Sequence, residues 1–266
     1  MLAGPSLAAR RAAALLAGVS DALVSVLFPA DCRLCGGLLT TASRIPICGE
    51  CLGSFAVLRG MLCDRCGLPG SEWSLGGDKR QQPPPDSICP ICREREYGFE
   101  RARSYASYRG RLVRAVVLLK FERIEPLGKW FAERLREVVQ QHNLEADLVV
   151  PVPLHRQREK ERGYNQADLI AKPLARSLGL PYKSLLLVRT KPRPDKHILT
   201  LDERWDAVRG AFATRPGTKV DNLRVLLVDD VMTTGATFDA CATALRGAGA
   251  KSVIGLTVAR AVRNPV

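Results

Sequence analysis

Paired cysteines constrain the fold of this chain more than any other feature. Eight of its nine cysteines form four C-x-x-C pairs within the first 92 residues, "CRLC", "CGEC", "CDRC" and "CPIC". This spacing lets both sulfurs of a tight knuckle bind one metal ion, and two knuckles complete a tetrahedral site. Sequential pairing predicts these two sets of ligands: Cys32, Cys35, Cys48 and Cys51, then Cys63, Cys66, Cys89 and Cys92. Cross-braced pairing of the first knuckle with the third is the alternative.

The layout favours zinc over other cysteine chemistry. Disulfides need an oxidising compartment, and we recognise no signal peptide. Iron–sulfur clusters also use four thiolates, but the pair-plus-pair arrangement is typical of zinc. We therefore expect two structural zinc ions, which supply folding free energy that such small lobes cannot obtain from their cores. The ninth cysteine, Cys241, shares a helical face with Phe238 and Leu245, so we predict a buried apolar residue.

The first 28 residues carry two arginines before an apolar run that Ser20, Asp21 and Ser25 interrupt. The segment superficially resembles a signal peptide, but the helical spacing of its apolar residues favours an amphipathic helix that packs on its own protein. No other stretch is long and apolar enough to span a bilayer, so we expect a cytoplasmic protein without a transmembrane segment. The net charge of +13 favours anionic partners such as nucleic acid, phosphorylated metabolites or membrane headgroups.

The sequence predicts three regions with different composition. We assign residues 1–28 to the N-terminal helix, 29–96 to a double zinc ribbon with a flexible loop over 70–87, and 97–266 to an α/β domain. In the last region, apolar strands such as "RVLLV" and "SVIGLTVAR" alternate with amphipathic helices. Such alternation predicts a parallel sheet with right-handed crossovers.

The stretch "RVLLVDDVMTTGAT" predicts a ligand site. We expect its strand to end at Val228, which places Asp229 and Asp230 at the carboxyl edge of the sheet, where ligands bind in this class. The loop Thr233–Thr237 then opens a helix whose N–H groups and dipole favour a phosphate. Gly235 is expected to allow close approach. Because carboxylates repel phosphate, the aspartates suit two hydroxyl groups or a divalent metal ion close to the phosphate. A ribose 5-phosphate satisfies both the acidic pair and the phosphate loop. Magnesium binding alone and structural capping are the alternatives.

A basic segment and a long connection complete the predicted site. "PLHRQREKERGYNQ" supplies Arg156, Arg158, Lys160 and Arg162, which suit a pyrophosphate or else form a solvated face. His155 before them is interpreted as local polar structure. Residues 189–211 are too long and charged for an ordinary loop, and they predict a lid that closes over the site.

These motifs resemble a known family. "VLLVDDVMTTGAT" resembles the phosphoribosyl-pyrophosphate (PRPP) motif of type I phosphoribosyltransferases, and the order of knuckles, "RGYNQA" and "DDVMTTGAT" is similar to the ComF family from about Phe28 onward. The resemblance implies a parallel-sheet type I phosphoribosyltransferase fold behind a small double zinc-ribbon domain. It also implies a reaction with magnesium in which an acceptor displaces pyrophosphate from PRPP, and the sequence does not identify this acceptor. The family is further associated with DNA uptake.

The resemblance also implies roles for individual residues. Asp229 and Asp230 would hold the ribose hydroxyls. The 5-phosphate would bind the residues of the following loop: Thr233, Thr234, Gly235, Ala236 and Thr237. The "RGYNQA" match covers Arg162, Asn165 and Gln166, and the lid retains Arg204. Lys196 and Ala207 stand where the family has glutamine and asparagine, so the chemistry of the lid is not carried over. The alternative function is a single-stranded-DNA-binding protein, or a zinc-ribbon adaptor for a helicase-like partner.

Overall fold

The computed structural model describes residues 30–40, 43–73, 87–192 and 201–262, with only the backbone of Leu201, Asp202 and Arg204. The helix predicted over residues 1–28, most of the predicted loop over 70–87, and Lys196 lie outside these ranges. The backbone divides into two compact units, residues 1–55 and 56–266. The second unit therefore contains both the third and fourth cysteine pairs and the residues of the predicted α/β domain.

The described part of the first unit is a knuckle fold around the first two cysteine pairs. Gly36 adopts φ 74° and donates its amide to the Cys32 carbonyl at 2.8 Å, which makes the tight turn after the first pair. Helix α1 (Gly49–Gly53) follows Cys48, whose Sγ accepts the N–H of Cys51 at 3.4 Å. Sulfur thus replaces the oxygen that usually caps a helix N-terminus.

The second unit begins with the other two knuckles, a 3₁₀ turn (Gly70–Glu72) and helix α2 (Pro90–Arg93). Gly67 has φ 67°, and a Cβ there would lie 2.8 Å from the Ala102 carbonyl oxygen, so only glycine lets this knuckle lie directly on the neighbouring strand. Trp73 is buried, and its indole N–H donates to the Leu68 carbonyl at 3.0 Å. The prediction of a flexible loop beginning at residue 70 was wrong for this tryptophan.

The strands and longer helices alternate as the sequence predicts. The strands are β1 (Arg101–Ser107), β2 (Leu148–Pro151), β3 (Leu187–Arg189), β4 (Phe212–Thr214), β5 (Arg224–Met232) and β6 (Ser252–Arg260). The helices are α3 (Arg111–Phe121), α4 (Pro126–Gln141), α5 (Arg156–Arg162), α6 (Gln166–Leu178), α7 (Leu201–Asp206) and α8 (Ala236–Gly247).

Four strands form a sheet in the order β1-β6-β5-β2, and all its neighbouring pairs are parallel. β5 and β6 are central and almost continuously buried, which explains their uninterrupted apolar sequences. The expected end of β5 at Val228 was wrong, because pairing continues through Asp229 opposite Thr257 to Met232 opposite Arg260. The paired aspartates therefore belong to the strand and are held by its ladder.

β3 and β4 form a separate antiparallel ribbon, and α7 lies in the connection between them. Trp205 in α7 packs on Tyr97, with ring centroids 5.6 Å apart. The described part of the predicted lid is therefore anchored at both ends and touches the segment that leads into β1. Within the described ranges, every helix is too short or too polar to cross a membrane.

Candidate functional site

A cavity of about 350 Å³ opens at the carboxyl ends of β2 and β5. Strand β5 contributes Asp229 and Asp230, and the loop and first turn of α8 contribute Thr233, Thr234, Ala236 and Thr237. The remaining polar side chains of its wall come from other elements: Tyr108, Lys120, Gln166 and Arg189. The structure thus brings the predicted acidic pair and the predicted phosphate loop together around one space.

Asp230 is the most constrained carboxylate of this cavity. The residue is 3% exposed, and its Oδ1 lies 2.8 Å from the Lys120 ammonium. Its buried Oδ2 has no hydrogen-bond partner among the residues that the structure describes. Since an unsatisfied buried oxygen costs free energy, this atom is suited to a donor supplied by a ligand. Burial alone would lower the pKa of Lys120, but the Asp230 carboxylate reverses this effect, and the net pKa is raised.

Asp229 is half-buried and lies beside it. Its Oδ1 accepts the backbone N–H of Asp230 at 2.8 Å, which fixes the carboxylate against its own strand. Two acidic side chains on consecutive strand residues would usually point to opposite faces. Both nevertheless line the cavity, and the pairing of β5 with β2 ends just before them, at Val228 opposite Pro151.

The loop before α8 is shaped for an anion. Gly235 is the N-cap of this twelve-residue helix with φ 88°, and as a glycine it has no side chain that could cap the helix. Thr234 Oγ1 accepts the N–H of Ala236 at 3.3 Å and stabilises the turn. Thr233, Thr234, Ala236 and Thr237 line the cavity at the N-terminus of α8, where the helix dipole and backbone N–H groups favour an anion.

The reason for glycine at this position differs from the expected one. A Cβ on Gly235 would lie 3.0 Å from Met232 Cε and 3.4 Å from a ring carbon of Tyr97. The missing side chain therefore makes room for the protein interior and permits the left-handed backbone. We expected the glycine to clear space for a ligand, but the neighbours of an added Cβ are residues of the protein itself.

The "RGYNQA" segment divides into ligand-facing and structural positions. Gln166 lines the cavity and accepts a hydrogen bond from Arg162. Burial lowers the pKa of Arg162, and the carboxylates of Asp230 and Asp229 oppose that shift. Asn165 is buried, and both ends of its amide are used internally: Oδ1 caps α6 through the Ala167 N–H, and Nδ2 donates to the Val152 carbonyl. Its position fixes the start of α6 relative to β2.

The remaining predicted residues lie at the margin of the cavity or outside it. Arg156 is exposed at the first position of α5, outside the cavity lining formed by the described residues. His155 caps that helix through Nδ1, which accepts the Gln157 N–H at 3.4 Å, as expected for local polar structure. The side chain of Arg204 lies outside the described residues. Ala207, which replaces the usual asparagine of the lid, lines the cavity.

Sequence reasoning missed Lys120 and Arg189 as residues of this cavity. Lys120 is the next-to-last residue of α3, in an apolar helix with no motif around it. Arg189 ends β3, and its guanidinium lies over the Phe212 ring at 5.2 Å. The one sequence signal for Lys120 was a charged residue interrupting the apolar run "AVVLLKF".

The eight paired cysteines form two clusters, each with all four sulfurs within 4.8 Å of one another. The grouping is sequential, with Cys35 and Cys48 sulfurs 3.9 Å apart in the first cluster and Cys66 and Cys89 sulfurs 3.7 Å apart in the second. A tetrahedral zinc with bonds of about 2.3 Å requires sulfur separations of about 3.8 Å, so both clusters fit structural zinc. Cys241 is fully buried among apolar residues, as predicted.

Two families match the chain. A phosphoribosyl transferase domain matches residues 166–264, and a double zinc ribbon domain matches residues 23–93. The DNA utilization protein YhgH of Salmonella typhimurium is 33% identical over 231 residues, covering 85% of this chain and 94% of the relative. Competence protein F of Haemophilus influenzae is 27% identical over 230 residues, covering 80% of this chain and 96% of the relative. Competence protein ComFC of Bacillus subtilis is 26% identical over 222 residues, covering 80% of this chain and 84% of the relative.

Proposed function

This chain belongs to the ComF family, with a type I phosphoribosyltransferase fold and a double zinc ribbon, and we propose that its cavity binds PRPP and transfers the phosphoribosyl group to an acceptor. The observation that carries this proposal is the unpaired, buried Oδ2 of Asp230 in the same cavity as the N-terminus of α8. A ligand that joins hydroxyl donors to a phosphate satisfies both groups, and PRPP has that chemistry.

Each half of the ligand has its own partners in this proposal. Asp229 and Asp230 accept hydrogen bonds from the two ribose hydroxyls. The amides and hydroxyls from Thr233 to Thr237 bind the 5-phosphate. Gln166 and Arg189, which line the cavity, would bind the pyrophosphate, because a guanidinium group matches phosphate oxygens. Arg162 lies outside this lining and donates a hydrogen bond to Gln166. Magnesium, when bound with PRPP, would neutralise part of the diphosphate charge. Asn165 supports this region from beneath and does not contact the ligand.

The reaction breaks the bond between ribose C1 and the pyrophosphate oxygen, and the electron pair leaves with pyrophosphate. The acceptor then supplies the electron pair for the new bond to C1. Because the ribose carries developing positive charge, the enzyme contributes mainly by positioning and by electrostatic stabilisation, and the two carboxylates lie near that charge. Closure of the β3–β4 ribbon and α7 would exclude water from C1.

The proposed biological setting follows from the named relatives. Two of them are competence proteins and a third is a DNA utilization protein. We therefore place the phosphoribosyl activity of this chain in the handling of DNA taken up by the cell. A helicase-like partner remains a prediction.

Calorimetric titration of PRPP, ribose 5-phosphate and pyrophosphate, each with magnesium, tests the proposal. We expect PRPP to bind most tightly and both fragments to bind more weakly, because each fragment fills one half of the cavity. Absence of PRPP binding in a correctly folded, zinc-loaded protein would reject the assignment. Binding of pyrophosphate alone would contradict the role of the aspartates.

A second function, binding of single-stranded DNA, is favoured by one surface feature. Phe121 is 62% exposed, and the Arg162 guanidinium lies over its ring at 4.9 Å. Arg123 and Arg158 line the same depression. An exposed ring among cations is a stacking platform for bases. Replacing Phe121 with serine should weaken binding of a dT oligonucleotide and leave PRPP affinity unchanged. Equal DNA affinity of the variant and the wild type would reject this platform.

A further inference from the structure

Arg260, the last residue of β6, is a buried charged residue with no part in the proposed reaction. It is 4% exposed, and its guanidinium donates hydrogen bonds to two segments that are far apart in the sequence. In the Cys63–Cys66 knuckle, Nε lies 3.2 Å from the Cys66 carbonyl oxygen, and Nη2 lies 3.7 Å from the Cys66 sulfur. At the end of β5, Nη1 donates to the carbonyls of Met232, at 3.3 Å, and of Thr233. One side chain therefore joins a metal-binding cysteine to the start of the loop before α8.

These hydrogen bonds set the orientation of the first peptide groups of the loop. A trans peptide group directs its carbonyl and its N–H to opposite sides, and the described chain has no cis peptide bond. Because the carbonyls of Met232 and Thr233 point toward Arg260, the N–H groups of Thr233 and Thr234 point away from it. Both threonines line the proposed PRPP cavity, whereas Arg260 lies outside the lining that the described residues form. Arg260 therefore acts on that cavity through the loop and not by contact with a ligand.

Arg103 in β1 binds the same knuckle without binding the loop. It is 6% exposed, and its Nη1 donates to the carbonyls of Cys63, at 3.2 Å, and of Asp64, at 3.0 Å. Its remaining hydrogen bond among the described residues goes to the carbonyl of Ala102, its own neighbour in β1. Two buried arginines thus hold the Cys63–Cys66 knuckle, and of the two only Arg260 also holds the loop.

The second cluster supplies a reason for buried cations at this place. Four thiolates around a divalent zinc ion leave the cluster with a net negative charge, and buried charges require a partner. Groups that hydrogen-bond to metal-binding residues orient them, and loss of such a group typically lowers metal affinity about 10- to 100-fold. Arg103 and Arg260 occupy that position, on the carbonyls of Cys63 and Cys66. The zinc site consequently fixes one end of Arg260, and the loop depends on the other end.

We propose that Arg260 is a positioning residue for the loop before α8, and that through it the second zinc site controls how tightly that loop binds a phosphate group. That the loop binds phosphate rests on the proposed function. A fixed guanidinium holds the two peptide groups in the anion-binding orientation, whereas an unfixed one lets them rotate. Because energetic coupling between two sites is reciprocal, a phosphate bound to the loop should tighten zinc binding at the second cluster by the same factor.

Arg260→Lys and Arg103→Lys form a matched pair of variants, because each keeps a buried positive charge beside the knuckle. Lysine lacks the planar, forked set of donors and cannot bridge both segments. In zinc-loaded protein, we expect Arg260→Lys to weaken binding of ribose 5-phosphate about five- to 150-fold, the usual range of coupling between two sites. Arg103→Lys should bind it like the wild type. Calorimetric titration measures both, and equal affinities of the two variants would overturn the proposal.

A second experiment measures the coupling from the zinc side. Cys35→Ser keeps the four cysteines of the second cluster, and competition with a zinc chelator then reports the affinity of that site. Saturating ribose 5-phosphate should raise this zinc affinity by the same factor of about five to 150. Adding Arg260→Lys should remove the effect, which distinguishes this link from general stabilisation by a ligand. Cys66→Ser, which keeps the first cluster, is the control and should show no change. Zinc affinity of the second cluster that is independent of ribose 5-phosphate would contradict the coupling.

Amide hydrogen exchange of residues 233–237 needs no ligand, so it separates this inference from the proposed function. Exchange should be faster in Arg260→Lys than in Arg103→Lys, because the loop has lost its fixed support. Faster exchange in a protein whose wild type binds no ribose 5-phosphate would reject the proposed function and retain Arg260 as a positioning residue. Normal binding of ribose 5-phosphate, with unchanged exchange and unchanged zinc affinity, would reject the role of Arg260 and leave the proposed function standing.

Discussion

Lys120 Nζ lies 2.8 Å from Oδ1 of Asp230, and this pair sits at the floor of the proposed phosphoribosyl cavity. The lysine neutralises a carboxylate that is almost fully buried and leaves only its second oxygen for a ligand. This ion pair therefore orients the carboxylate that we propose binds the ribose, and it also stabilises the fold.

Replacing Lys120 with methionine should destabilise the second unit. The substitution leaves the Asp230 charge buried without its partner, and breaking a buried pair in this way costs about 3–5 kcal/mol. Urea unfolding measures the difference. Lys129→Met, on the exposed face of α4, is the matched control and should change stability by less than about 0.5 kcal/mol. Equal stability of the two variants would show that the Asp230 carboxylate does not depend on Lys120.

Gly235→Ala should impair both folding and anion binding. At φ 88° the left-handed backbone conformation destabilises an alanine by roughly 1–2 kcal/mol, and the alanine Cβ would lie 3.0 Å from Met232 Cε. Gly247→Ala at the other end of α8 is the control, because nothing lies within 4 Å of its added Cβ. Thermal unfolding and ribose 5-phosphate titration should separate the variants. A Gly235→Ala protein with normal affinity would contradict the assigned role of the loop.

The pair between Asp147 and Arg224 gives a pH prediction. The Asp147 carboxylate accepts hydrogen bonds from the Arg224 guanidinium at 2.7 Å and 3.0 Å and from its backbone N–H, and these lower its pKa to about 2. Because the folded pKa lies below the usual value of about 3.9, the stabilisation is present above that value and is lost as the pH falls toward 2. The stability difference between wild type and Asp147→Asn should therefore be constant near pH 6 and shrink below pH 4. A difference that grows on acidification would have the wrong sign.

Elemental analysis should give two zinc ions per chain. Cys35→Ser should remove the ion of the first cluster, and Cys66→Ser that of the second, because three thiolates no longer close either site. Only the second substitution should weaken PRPP binding, since Arg260 links Cys66 to the phosphate loop. Iron in place of zinc, or one ion in the wild type, would contradict the double-ribbon assignment.

The sequence predicted the structural features that have a strong local pattern. Fixed cysteine spacing specified the metal clusters, and unbroken apolar runs specified β5 and β6 because central parallel strands are buried on both faces. The acidic pair and the glycine loop were recognisable because the proposed binding of a phosphate and of hydroxyls would restrict both the residue types and the backbone conformation.

Other features depend on contacts between distant segments and left no local pattern. Lys120 meets Asp230 from 110 positions away in the chain, and Arg189 reaches the cavity from a short ribbon. Trp73 sits in a polar stretch of sequence, yet the fold buries it against the second cluster. The end of β5 was misplaced because aspartates are rare in strands, whereas ladder pairing with β6 extends the strand past them.

The most direct test of the central claim is a calorimetric titration of PRPP with magnesium into the wild type and into Asp229→Asn with Asp230→Asn. Glu133→Gln with Glu137→Gln removes two exposed carboxylates from α4 and controls for net charge. Zinc content and thermal unfolding identify folded protein, and Asp229→Asn alone leaves the Lys120 pair intact. We predict binding in the wild type and in the control, and none in the aspartate variants. Unchanged PRPP affinity in a folded double aspartate variant would contradict the assignment of these carboxylates to the ribose.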